Sequence, residues 1–121
     1  MSRAADSAVV DVFFALGDET RLSVVRKLGA GHALSATTLS EGAQVTRQAI
    51  VKHLQVLEGA GLVTHDRRGR EVLYALEARR LEEARAFLDG ISAGWDRAIA
   101  RLRRRVEEPP ARKKRKRKPS S

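Results

Sequence analysis

VTRQAIVKHLQVLEGAGLV, residues 45–63, decides how this chain is read. A threonine opens a run whose apolar residues recur at three- and four-residue spacing, the pattern of a capped amphipathic helix. Gly59 and Gly61 supply its stop. At about 100° per residue, with Ile50 at zero, Leu57 falls near −20° and Leu54 near 40°, which makes one apolar edge. Gln55, Gln48 and Lys52 fall at about 140°, 160° and 200°, on the opposite side. Val51, at about 100°, flanks that polar side. Arg47, at about 60°, lies in the first turn, where a long side chain can reach outward. His53, at about −60°, lies toward the core edge, so packing and one hydrogen bond are expected of it.

Outward from this helix, HDRRGREVLYAL (residues 65–76) follows at once. It reads as two strands, residues 62–66 and 71–76, joined by Arg67-Arg68-Gly69-Arg70, with Gly69 free to take a positive φ. On the other side, residues 5–16 carry a helical stripe of Ala5, Val9, Val12, Phe13 and Leu16, ended by Gly17. Asp18 is suited to cap a second helix, and Glu19 favours its first turn through the dipole. That helix is expected to bury Leu22, Val25 and Leu28 and to stop at Gly29 to Gly31. Ser35 can cap a short third helix over residues 36–41 with Leu39 inward, and residues 42–45 make the turn into Thr46. Helix, turn, helix and basic hairpin in that order make a winged helix-turn-helix, mainly α with a small β-hairpin wing.

The outward side suits reading of double-stranded DNA in the major groove. Glutamine can pair with adenine, arginine with guanine, and Val51 can touch a thymine methyl. Lys52 can hold a phosphate or meet a base, and Thr46 with the first-turn N–H groups can meet a phosphate. Arg67, Arg68 and Arg70 can lie in a minor groove or along phosphates.

Residues 78–107 read as one long helix. Leu81, Leu88, Trp95 and Leu102 recur every seven residues, with Ala84, Ile91 and Ala98 recurring between them. This is an a/d seam. A helix of about 30 residues is about 45 Å long, more than a small body covers from one side. The expectation is a dimer helix packed with the first helix, using Val9, Phe13, Leu88, Ile91, Trp95 and Leu102. Pro109-Pro110 ends it. Residues 1–108 are thus expected to form the DNA-binding and dimerisation domain, and residues 109–121 a disordered basic tail.

Composition bounds the function. The 121 residues suit one domain, and 42% hydrophobic content suits a small core. The net charge of +9 is concentrated: residues 112–118, RKKRKRK, hold seven positive charges. Removing those seven from 24 basic residues leaves 17 against 15 acidic ones, or +2. The body is nearly neutral, so any basic face must come from local clustering. With no cysteine there is no disulfide and no thiolate metal site. No apolar run is long enough for a membrane, so a soluble, cytoplasmic protein is expected. His32, His53 and His65 have no helical metal spacing, and no nucleophile motif or phosphate loop is present. Glu82-Glu83 and Glu107-Glu108 read as solvated helix charges. No metal, no cofactor and no enzymatic activity are expected.

FFALGDETRLSVVRKL (residues 13–28) resembles the opening pattern of the ArsR-type winged-helix transcriptional regulators. Residues 45–63 resemble that family's central motif and RRGREVLYAL (residues 67–76) its wing, with a weaker likeness through WDRAIARL (residues 95–102). The resemblance is to a cysteine-free, non-metal-sensing branch. It implies a homodimer joined by first and last helices, and a repressor. It places Thr46, Arg47, Gln48, Val51 and Lys52 at the family's DNA-reading positions, and the angular map adds Gln55 to the same DNA-binding set. Val51 stands where the family usually carries a small hydroxyl residue, so a hydrogen bond to DNA is lost there. Residues of the metal-sensing kind are absent, and the resemblance leaves a small-molecule inducer open. Two other classes fit parts of the chain: an architectural, nucleoid-type DNA binder, which the tail suits, and a protein-interaction module with a vestigial DNA face.

Overall fold

The computed structural model describes residues 3–107. The expected tail, residues 109–121, lies outside them. Five helices and three strands run in the order α1 (Arg3–Leu16), α2 (Glu19–Leu28), β1 (Leu34–Ser35), α3 (Ala36–Ser40), α4 (Arg47–Gly59), β2 (Val63–Arg68), β3 (Glu71–Leu76) and α5 (Ala78–Glu107). The chain divides into two units, Met1–Phe87 and Leu88–Ser121.

In the first unit, capping sets where the helices begin. Asp18, Ser35 and Thr46 hold extended φ/ψ, and their side chains accept from the N–H groups of Arg21, Thr38 and Ala49. Each cap satisfies an N–H group that the helix leaves without a partner. The core gathers Val12, Ala15, Val24, Leu28, Leu39, Ile50, Leu54, Leu57, Leu62 and Val63, with Ala84 from the start of α5. Each fully buried leucine or isoleucine contributes about 1.5–3 kcal/mol. Leu22, expected inside, is 37% exposed, and Val24 takes its place at 2%. Val24, Val25 and Leu28 follow the three- and four-residue spacing of one face; Leu22 lies six residues before Leu28, about 120° off it.

The sheet is antiparallel in the order β1-β3-β2. The end of α4 fixes where β2 starts. Gly61 takes φ +78°, its N–H donates to the Glu58 carbonyl, and the Leu62 N–H donates to Leu57. This left-handed helix stop spends the Leu62 N–H on α4, so the ladder begins at Val63 and not at Leu62. At the other end β2 runs two residues past the expected Asp66. Arg67 pairs with Val72 and Arg68 with Glu71, leaving only Gly69 and Arg70 as the turn. Gly69 at φ +62° allows so short a connection. The two-residue β1, which pairs Leu34 with Tyr74, is too short to leave an alternating sequence signal.

Along α1, Val9 is buried and Phe13 packs against Phe87 at 6.2 Å between ring centroids. Val10 and Phe14 are the exposed large apolar residues of that helix. The second unit contains the remainder of α5. There Leu88, Ile91, Trp95, Leu102 and Val106 are all exposed, while Ala98 and Ile99 are half-buried.

Candidate nucleic-acid interface

The two sides of α4 separate as the angular map requires. Ile50, Leu54 and Leu57 are fully buried. Thr46, Arg47, Gln48, Lys52 and Gln55 are exposed, and Val51 is half-buried at their border. The helix is held by its buried side, so its outward side chains are free to meet a ligand.

One polar cluster fixes α4 against α2. Arg21 Nε donates to the Ala15 carbonyl at 2.7 Å, and its guanidinium meets His53 Nδ1 at 3.3 Å. Guanidinium can only donate, so Nδ1 is the acceptor. Asp18 Oδ2 lies 3.8 Å from the same nitrogen. His53 therefore bonds inward and takes no part in the outward side. The role of Arg21 was not legible in the sequence, because its side-chain partners lie six residues before it on α1 and 32 residues after it on α4.

The wing divides its three arginines. Successive residues of a strand face opposite ways. Asp66 and Arg68 share one face of β2 and pair at 3.0 Å. Arg67, on the other face, lines a cleft of about 440 Å³ between α3, the start of α4 and the wing. Arg47 and Arg70 also line it, together with Val51, Val72 and Tyr74. Arg47 Nε also donates to Thr37 Oγ1 at 3.1 Å, a contact the sequence did not indicate. On β2 itself His65 bonds Glu58 of α4 at 2.8 Å and lies beside Tyr74, tying wing to helix.

Among the described residues no cluster of three or more His, Asp or Glu side chains could hold a metal ion, and no helix is long and apolar enough to cross a membrane.

The arrangement has relatives. Residues 16–66 match a family model described as a helix-turn-helix domain. An HTH-type transcriptional regulator of Bacillus subtilis (strain 168), YuzN, is 43% identical over 65 residues, covering 49% of this chain and 71% of that protein. The HTH-type transcriptional repressor SmtB of Mycobacterium tuberculosis (strain ATCC 25618 / H37Rv) is 32% identical over 92 residues, 76% of this chain and 66% of that protein. Among solved structures, an ArsR-like transcriptional regulator from Rhodococcus sp. RHA1 superposes with a TM-score of 0.72 at 36% identity, over 87% of this chain and 97% of that one. Buried helix face, wing and these likenesses together assign the fold and the kind of protein: the chain belongs to the ArsR-type winged helix-turn-helix transcriptional regulators.

Proposed function

We propose that this chain is a homodimeric, cytoplasmic repressor that binds a specific palindromic operator and occludes a promoter, without chemistry of its own. The observation that carries the reading is the outward side of α4. Gln48, Lys52 and Gln55 stand exposed together, directly opposite a fully buried edge, beside a wing with arginines at its tip. Glutamine and lysine at such positions suit base edges and phosphates of a major groove. Repression is supported by the likeness to the M. tuberculosis repressor SmtB.

Pairing is supported by unpartnered apolar surface. Leu88, Ile91, Trp95 and Leu102 lie exposed along α5, and α1 separately exposes Val10 and Phe14. Val9 is buried within the single chain, so contacts of α1 with a second copy fall to those two exposed residues, with Phe13 behind them. Two copies would set their reading helices about 34 Å apart, one turn of DNA.

The test is selection of bound duplexes from a random pool, with footprinting, and mass by light scattering. A palindromic motif and a two-chain mass are expected; protection without symmetry from a single-chain mass would overturn the reading. The seven consecutive charges of residues 112–118 favour one other reading, an architectural binder. A specificity ratio near one against random DNA would select it. For the repressor, deletion of residues 112–121 lowers the salt dependence of binding and leaves the motif intact.

A further inference from the structure

The cleft between α3, the start of α4 and the wing has the makings of an anion seat. Three guanidinium groups, Arg47, Arg67 and Arg70, line it against a single carboxylate, Glu71. Among the described residues none of the three arginines is in an ion pair, whereas Arg68, Arg80 and Arg85 each have a carboxylate partner. Such unpaired charge next to a DNA-reading helix is poised for a phosphate.

A second observation is independent of that count. Arg47 is the first residue of α4, and the first turn of α4 holds no acidic residue, unlike that of α2 with its Glu19. A cation at a helix N-terminus opposes the dipole, and an anion seated beside it reverses the penalty. The third observation is the tether. Thr37 Oγ1 holds Nε of Arg47 at 3.1 Å, which keeps the guanidinium beside α3 and the cleft. Arg47 lies about 100° around the helix from Gln48 and about 140° from Lys52, off the side that those two present.

We infer that this cleft seats a backbone phosphate of the bound DNA. Arg47, set by Thr37, is then a residue that positions the strand and does not read guanine. The inference rests on the proposed DNA-binding role, and it moves sequence choice onto Gln48, Val51, Lys52 and Gln55.

The experiment uses the full chain and the variants Arg47→Ala, Arg47→Lys and Thr37→Val. Each is put through random-pool selection and titrated on one duplex across a range of salt. Arg47→Ala is expected to weaken every duplex about tenfold, the scale of one charge-assisted contact. It should flatten the slope of log K against log salt by about 0.9 and leave the selected motif unchanged. Arg47→Lys restores the slope because it keeps the charge. Thr37→Val keeps the slope and weakens all duplexes alike. An Arg47→Ala variant that relaxes one base position with an unchanged slope overturns the inference. If the wild-type chain selects no motif, it is the specific-operator reading that fails. The slope comparison on a random duplex still decides the seat, and equal slopes would refute it.

Discussion

Oδ2 of Asp18 lies 3.8 Å from Nδ1 of His53 while accepting the Arg21 N–H at 3.0 Å, so one carboxylate caps α2 and faces α4. The Arg21 N–H, and then the Arg21 charge, hold this carboxyl below its ordinary 3.8, against opposing desolvation. A carboxyl depressed in the folded state stabilises fully above its unfolded value and loses that contribution as pH falls through the folded one. Asp18→Ala should therefore lower the urea midpoint at neutral pH. Asp18→Asn, which keeps a capping oxygen but no charge, should fall between the two. The wild-type and Asp18→Asn midpoints should converge as pH drops below 3.8. A gap that stays constant through that range would show that the charge of Asp18 does not contribute.

Gly61 and Gly42 both sit at φ +78°, but only Gly61 has a neighbour in the way. A Cβ there would meet Cγ of Arg80 at 2.9 Å and Nε at 3.0 Å; at Gly42 it would meet nothing within 4 Å. Alanine should cost about 1–2 kcal/mol at either site for the left-handed backbone. Gly61→Ala should cost more than Gly42→Ala, and the excess should vanish in an Arg80→Ala background, because the arginine is flexible and its removal leaves only the backbone term. Equal losses at the two glycines in denaturant titration would refute the steric part.

The same two positions show what local sequence could and could not convey. Gly61 was legible as a stop because glycine readily takes the left-handed conformation that commonly ends a helix. That it also consumes the Leu62 N–H, and so sets the first residue of β2, depends on a hydrogen bond back to Leu57. The inward edge of α4 was legible because Ile50, Leu54 and Leu57 recur at the helical period. Leu22 misled, since hydrophobicity alone does not say which of several apolar residues on a ten-residue helix faces in. The Thr37–Arg47 tether and the Arg21–His53 contact join residues 10 and 32 positions apart, and no local pattern carries such pairs. The long seam of α5 was legible as a pattern. Its meaning rests on the exposure of Leu88, Ile91, Trp95 and Leu102.

Alternation along β2 makes the wing arginines unequal. Arg68 is held by Asp66 on one face, while Arg67 opens to the cleft on the other. Arg67→Ala should weaken DNA binding about tenfold and reduce the salt slope by about one. Arg68→Ala should change affinity about twofold or less, because its charge is already offset and an exposed pair of this kind is worth little. Filter-binding titrations of both variants on one duplex test this. Equal losses would mean that the Asp66 pair opens on binding.

Trp95, the only tryptophan, is 66% exposed within one chain and lies on the apolar stripe of α5. If that stripe pairs with a second copy, its emission is blue at micromolar concentration and shifts red on dilution as the pairs separate. The energetics allow this. Each large apolar side chain on the stripe gains about 1.5–3 kcal/mol on full burial, and both copies contribute. Association costs about 4–15 kcal/mol in lost freedom, so several such residues must be covered together to reach micromolar affinity. One disruption should then suffice. Ile91→Glu places a carboxylate in the seam and should raise the dimer dissociation constant about a hundredfold or more, given a cost of about 3 kcal/mol for an imperfectly paired buried polar group. That variant should emit red at every concentration, keep its helical circular dichroism, and bind an isolated half-site as well as the wild type while losing the advantage of the full palindrome. Wild-type emission and scattering mass that stay at single-chain values up to micromolar concentration would remove α5 as a pairing surface.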